Sequence, residues 1–259
     1  MIRKLRFIEA GAANRYRKSW KNHFLYNGNI CNPSTGLITL ATIAKRLVDD
    51  TLMYSESISE IDWDDVRSAD VVFISINTFN AMRGYAIAQR VRALGDVNTD
   101  GLRPLVVLGG MHATLNYPEA VRYADFVLLG DGDESIVEFV EELENLGSTP
   151  LPICGVWPAD GAPLNIRGIA YLRSGGDDTA EPFTTEERPQ PFDIETIPDR
   201  SLVFDYARMA KKYDTLWPQV HASRGCAGTC DYCCVIAHFG RRVRTRSPEV
   251  VVEDIRQAI

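Results

Sequence analysis

With 259 residues, 45% hydrophobic and 24% charged, the chain has the composition of a globular protein with room for one large or two medium domains. A formal charge of −7 opposes a broad nucleic-acid footprint, which needs a basic face to displace phosphate counterions, and favours small-molecule or protein partners. The longest apolar runs, Val71 to Ile76 and Phe126 to Leu129, fall far short of the roughly 20 residues that cross a bilayer, and the opening Met1-Ile2-Arg3-Lys4-Leu5-Arg6 holds no apolar export segment. A reducing cytoplasm is therefore the expected setting.

Residues 1–146 read as strands alternating with helices, the pattern of a parallel sheet covered on both faces. Leu5 to Glu9 forms the first strand, and the start signal Pro33-Ser34-Thr35 precedes Leu37, Leu40, Ala41, Ala44 and Leu47 at helical spacing. A second strand is expected near Thr51 to Tyr54. Val71 to Ile76 is a continuous apolar strand of the kind buried on both faces, and the helix from about Arg83 stops at Gly95. Leu105 to Leu108 repeats the unit and ends in Gly109-Gly110. Phe126 to Leu129 does so again, ending in Gly130-Asp131-Gly132-Asp133 before an acidic helix from Ser135 to Leu146.

Open sheets of this kind bind ligands beyond the carboxyl ends of their strands. Ser75, Asn77 and Thr78 fall there, as do Gly109, Gly110, His112, Ala113 and Thr114, and Gly130, Asp131 and Gly132. Paired glycines let a backbone approach a bulky or phosphate-bearing ligand, and they equally make a tight strand-to-helix turn. No Gly-x-Gly-x-x-Gly follows the first strand, so a dinucleotide site lacks support.

Residues 147–212 change character: eight prolines crowd the stretch, and Gly175-Gly176-Asp177-Asp178 punctuates a hairpin whose first strand is Gly168 to Arg173, which together read as an ordered linker. A short strand from Gln219 to Ser223 follows, and Ser247-Pro248-Glu249 opens a capped helix. Between them, Arg242, Arg244 and Arg246 alternate. They would share one face of an extended segment and meet an anion, or, more simply, stand in solvent.

Cys226, Cys230 and Cys233 form a Cys-x3-Cys-x2-Cys triplet. Iron–sulfur cubanes are usually held by four cysteines, so three thiolates leave one iron open to an outside ligand. The competing account is a structural zinc site completed by His221 or His238, each five residues outside the triplet, although such sites favour paired Cys-x2-Cys spacings. Cys31 and Cys154 stand apart as idle thiols, and Cys234 is expected to serve packing.

Ser223-Arg224-Gly225-Cys226, the triplet and aromatic Tyr232 resemble the cluster loop of radical S-adenosylmethionine enzymes, in which the open iron chelates S-adenosylmethionine and an electron cleaves it to a 5′-deoxyadenosyl radical. The α/β region ahead of that loop, with Ser75, then Gly109-Gly110-x-His112-Ala113-Thr114, then Gly130-Asp131-Gly132, resembles the cobalamin-binding domain of the cobalamin-dependent branch. The loop from Gly11 to Gly36 contains only His23 and no Asp-x-His-x-x-Gly, so no cobalt-ligating histidine is assigned.

The resemblance implies an open, flavodoxin-like Rossmann sheet over 1–146, the proline-rich linker over 147–212, and over 213–259 the first βα unit of a radical S-adenosylmethionine barrel. It implies a 4Fe-4S cluster on Cys226, Cys230 and Cys233, with S-adenosylmethionine and cobalamin as the other cofactors. Ser75, Asn77, Thr78, Gly109, Gly110, His112, Ala113, Thr114, Gly130, Asp131, Gly132 and Tyr232 would contact cofactors, and no catalytic residue is assigned. The implied activity is methyl transfer to an unactivated centre of a small molecule. A reductase, flavodoxin or ferredoxin would supply electrons, with no membrane or nucleic acid involved. The alternatives are a methylthiotransferase, a ring-forming enzyme and a non-enzymatic zinc or cofactor module. Because only one barrel unit is present, the chain is expected to be the front part of a longer enzyme and inactive alone.

Overall fold

The computed structural model describes residues 2–11, 33–94, 103–146, 156–157, 164–175, 179–212 and 218–258. His23, Cys31, Gly95 and Cys154 lie outside them. Five apolar runs become parallel strands: β1 (Lys4–Glu9), β2 (Asp50–Ser55), β3 (Val71–Ser75), β4 (Leu105–Gly109) and β5 (Phe126–Leu128), in the order β2-β1-β3-β4-β5. This is a doubly wound α/β sheet whose strand order reverses beside β1 and β3. The connecting helices are α1 (Thr35–Lys45), α2 (Trp63–Arg67), α3 (Ala81–Ala93), the short α4 (Met111–Leu115) and α5 (Tyr117–Ala120), and α6 (Asp133–Leu146).

The continuous apolar character of these strands follows from burial on both faces. Phe7, Phe73 and Val107 stand side by side in register and pack with α1 and α6, while Ile8, Ile74 and Leu108 turn the other way toward Tyr85, Ile87, Ala88 and Val91 of α3. Ser34 starts α1 as expected, its side chain accepting the Leu37 N–H. The helix then buries Leu37, Ile38, Ala41, Ile43 and Ala44, and each large side chain among them contributes about 1.5–3 kcal/mol.

The proline-rich stretch does more than connect. Its strands β6 (Val156–Trp157), β7 (Ile169–Ser174) and β8 (Ala180–Thr184) extend the sheet, with β7 antiparallel to β5, so the sheet is mixed and mostly parallel. A 3-10 turn (Arg200–Leu202) and α7 (Tyr206–Lys212) follow. The final segment holds β9 (Ser223–Arg224), α8 (Val235–Phe239), β10 (Arg244–Thr245) and α9 (Pro248–Ala258), with β9 and β10 paired antiparallel. The strand expected over Gln219 to Ser223 thus begins only at Ser223, and two-residue strands carry no readable periodicity. No helix among the described residues is long and apolar enough to cross a membrane.

Candidate functional site

A cavity of about 180 Å³ opens at the carboxyl ends of β1, β3 and β4, beside the point where strand order reverses. Its floor is the register row Phe7, Phe73 and Val107, its side wall Leu37 and Leu40 of α1, and its mouth is edged by Ser75, Asn77, Gly109, Gly110, Gly130, Asp131 and Gly132. The opposite wall comes from the cysteine-bearing segment: His221, Arg224, His238 and Phe239. The volume lies below the roughly 300–1,000 Å³ of sites that enclose drug-sized ligands. It has room for an apolar group rather than for a whole drug-sized ligand.

Backbone conformation explains the glycines. Gly110 has φ +91°, and a Cβ there would stand 2.7 Å from the Ile76 carbonyl oxygen and 2.9 Å from Ser75 Oγ. The turn after β4 thus accepts no side chain and leaves bare backbone at the cavity mouth. Gly130, with φ +71°, lies under the His238 carbonyl, while its N–H donates to Thr114 Oγ1 at 3.0 Å.

Seven of the twelve residues expected to contact cofactors therefore meet at one cavity, and Thr78, His112, Ala113, Thr114 and Tyr232 do not. Thr114 instead lines a second cavity, of about 320 Å³, which shares Gly130, Asp131 and His238 with the first. His112 is buried in α4, where its Nδ1 lies 3.2 Å from Thr78 Oγ1 and 3.5 Å from Asn116 Nδ2. Thr78 thereby braces the turn from its exposed position. Ala113 is wholly buried in the core, and Tyr232, 88% exposed, stands away from both cavities.

The arginines between the cysteine loop and α9 are not a solvated patch. Arg244 and Arg246 are buried, whereas Arg241 and Arg242 remain exposed, the Arg242 guanidinium 4.3 Å from the Phe192 ring centroid. Arg224 Nη1 donates to Asp131 Oδ1 at 2.8 Å and to Asp133 Oδ2 at 2.5 Å, while Arg244 Nη1 donates to Asp131 Oδ2 at 2.8 Å. Arg200 and Arg246 converge in the same way on the fully buried Asp254 of α9, at 2.8 and 2.7 Å. The alternation of Arg244, Thr245 and Arg246 put the first and third inward; what sequence missed was the carboxylates waiting 113 and 8 residues away.

Burial works against charge at this junction. It pushes the Asp133 carboxyl up despite Arg224, and it holds the His238 imidazole below its ordinary value, with Asp131 opposing and Arg224 adding to the shift. His238 Nδ1 is buried without a hydrogen-bond partner. A neutral imidazole thus lines both cavities. It was read from sequence only as a zinc ligand; its distance from the sheet in the chain hid its place in the cavity wall.

Cys226, Cys230 and Cys233 are free thiols on one loop that starts two residues after Arg224, as is the neighbouring Cys234. The Cys234 thiol donates to Met111 Sδ at 2.8 Å, joining α8 to α4 at the cavity rim. Among the described residues, no three Cys, His, Asp or Glu side chains gather around a single-ion position. The loop does form a cradle: a Cβ at Gly228 would lie 3.3 Å from Cys226 Sγ and 4.0 Å from Cys230 Sγ, so the absence of a side chain there leaves space between two sulfurs. Two sulfurs flank that space and Cys233 stands on the same loop, a donor set of the kind a cubane takes at separate corners.

No protein-family model matches the chain. Over 252 residues it is 25% identical to bacteriochlorophyllide d C-12(1)-methyltransferase of Chlorobaculum tepidum, a match covering 95% of this chain and 46% of that protein. Its fold superposes with a TM-score of 0.65 on the cobalamin-dependent S-adenosylmethionine radical enzyme OxsB, solved with aqua-cobalamin and S-adenosylmethionine bound, at 14% identity over 99% of this chain and 31% of that one. The radical S-adenosylmethionine methyltransferase TsrM of Kitasatospora setae, solved with cobalamin and a [4Fe-4S] cluster bound, gives a TM-score of 0.63 at 16% identity over 98% of this chain and 46% of that one. The chain thus spans less than half the length of each. By sequence the chain is thus similar over most of its length to a bacteriochlorophyllide methyltransferase, and its fold is that of the matching part of two cobalamin-bound S-adenosylmethionine radical enzymes.

Proposed function

We propose that the chain is the cofactor-holding front part of a cobalamin-dependent radical S-adenosylmethionine methyltransferase acting on an unactivated centre of a small molecule. The observation that carries this reading is a juxtaposition: the glycine edge of the sheet and the stem of the three-cysteine loop are opposite walls of one cavity. Cys226, Cys230 and Cys233 would hold a 4Fe-4S cluster, and Ser75, Asn77, Gly109, Gly110, Gly130 and Gly132 would bear a corinoid. Bound there, these groups supply reductive cleavage of S-adenosylmethionine and methyl carriage.

The residues of this chain would do the positioning. Bare backbone at Gly109 and Gly110 permits close approach of a large planar ligand, Phe7, Phe73 and Leu37 exclude water from the floor, and Arg224 fixes the start of the cysteine loop over that edge. A flavodoxin, ferredoxin or reductase would deliver the electron. Thr78, His112 and Thr114 act one step back by bracing the turns that carry the glycines.

Anaerobic reconstitution with iron and sulfide tests the cluster. About four irons per chain with a brown chromophore is expected, and one zinc in a colourless protein rejects it in favour of the zinc module. Titration with hydroxocobalamin tests the glycine edge: a shifted corinoid spectrum is expected, and an unchanged spectrum at high protein concentration reduces the edge to a set of turns.

A further inference from the structure

We propose that Asp131 is a positioning residue that couples occupancy of the glycine-lined cavity to the order of the cysteine loop, with Arg224 and Arg244 as its two arms; this rests on the functional reading above. Arg224 and Arg244 are directly opposed in the β9–β10 pair, and their guanidiniums meet on the two oxygens of one carboxylate, each at 2.8 Å. The two contacts reach 93 and 113 residues along the chain from Asp131. The Asp131 and Arg244 side chains are 5% and 4% exposed, so water screens this contact little. Two carboxylates, Asp131 and Asp133, face two guanidiniums, and the cluster is balanced in charge.

On the sheet side, Asp131 stands between Gly130 and Gly132, all three at the cavity mouth. A ligand resting on that loop fixes the backbone from which the carboxylate projects. On the loop side, Arg224 runs straight into Gly225, at φ +87°, where a Cβ would stand 2.1 Å from the Arg242 carbonyl oxygen. The next residue, Cys226, donates its N–H to the Gly240 carbonyl at 3.1 Å. The backbone between Arg224 and Cys226 is thus pinned against Gly240 and Arg242, so a cluster that fixes Cys226 restrains Arg224.

Both ligands therefore order one contact. Whichever binds first meets the entropy cost of ordering it, and the second is spared that cost, which is positive coupling without any change of shape. Reciprocity requires that cluster loading tighten the corinoid by the same factor that corinoid tightens the cluster. The exposed Arg256–Glu253 pair of α9 touches neither wall and provides the control.

The test measures the dissociation constant of hydroxocobalamin by corinoid absorbance on metal-free chain and on anaerobically reconstituted chain. The reconstituted wild type is expected to bind about fivefold or more tightly than the metal-free form, the lower end of ordinary coupling. Asp131→Asn, with its fold checked by circular dichroism, should bring that ratio to about one, while Arg256→Ala leaves it unchanged. Arg224→Lys, whose single ammonium cannot span both carboxylates, should at least halve the ratio, and decides the matter if Asp131→Asn does not fold. Equal constants in the two wild-type forms, or an unreduced ratio in either variant, overturn the coupling while leaving the cofactor assignment standing. A wild type that takes up neither iron nor corinoid refutes the cofactor assignment itself.

Discussion

Gly109 and Gly110 are adjacent in sequence and do different work. Gly110 holds a positive φ with the Ile76 carbonyl 2.7 Å from its missing Cβ, whereas a Cβ at Gly109 would meet only Leu128 O, at 3.9 Å, an ordinary contact. Gly110→Ala is thus expected to cost about 1–3 kcal/mol of stability, from strain alone. Gly109→Ala should stay within about 0.5 kcal/mol of wild type yet weaken hydroxocobalamin binding, because its methyl group occupies the face offered to the ligand. Urea unfolding and corinoid titration of the two variants separate the roles; equal stability losses would contradict this division. The residue types left the pair balanced between ligand contact and tight turn, since a dihedral angle is not written in a residue name, and the family resemblance tipped both toward the ligand.

At the scale of elements, the site depends on how strand ends are tied to helix starts. Glu9, the last residue of β1, accepts the Ser34 N–H at 3.0 Å and the Ser55 hydroxyl at 2.6 Å, and so joins β1, β2 and the start of α1 around the cavity. Burial pushes its carboxyl up to about 7, partly opposed by the bonds from Ser55 and Ser34. In the unfolded chain the same group titrates near 4.5. Between those values the folded state holds the extra proton, so stability falls as pH rises from about 4.5 to about 7. Thermal melts from pH 5 to pH 8 should show a declining midpoint in the wild type and a flatter profile in Glu9→Gln; parallel profiles would exclude Glu9 as the origin.

The elements themselves were largely legible. Apolar runs announced β3, β4 and β5, the last two with glycines at their ends, alternation with helices announced β1, and Ser34 announced α1, because period and capping are local properties. The β9–β10 pair and the joining of β7 to β5 were not legible, since strand partners are chosen by tertiary contact and a two-residue strand has no period. The arginine run illustrates the same limit: solvation was the natural expectation for Arg244 and Arg246 until distant carboxylates were in place.

Across the whole molecule, buried ion pairs rather than an apolar seam join the last segment to the rest. Asp254 of α9 is fully buried between Arg200 and Arg246, three segments meeting at one carboxylate. Removing one partner of such a pair strands the others without compensation, a loss of about 3–5 kcal/mol. Asp254→Asn should therefore lower the urea midpoint strongly, and a change under about 1 kcal/mol would show that the arginines find water instead.

The cavity is also a junction in time. Its floor begins with Phe7, Thr35 Oγ1 at the start of α1 bonds the Gln219 carbonyl 184 residues later, and its far wall closes with Phe239. On a ribosome, the early part of the chain emerges with this hollow unroofed and its phenylalanines wet. A stall in synthesis before Phe239 would leave an open, greasy notch for chaperones to guard.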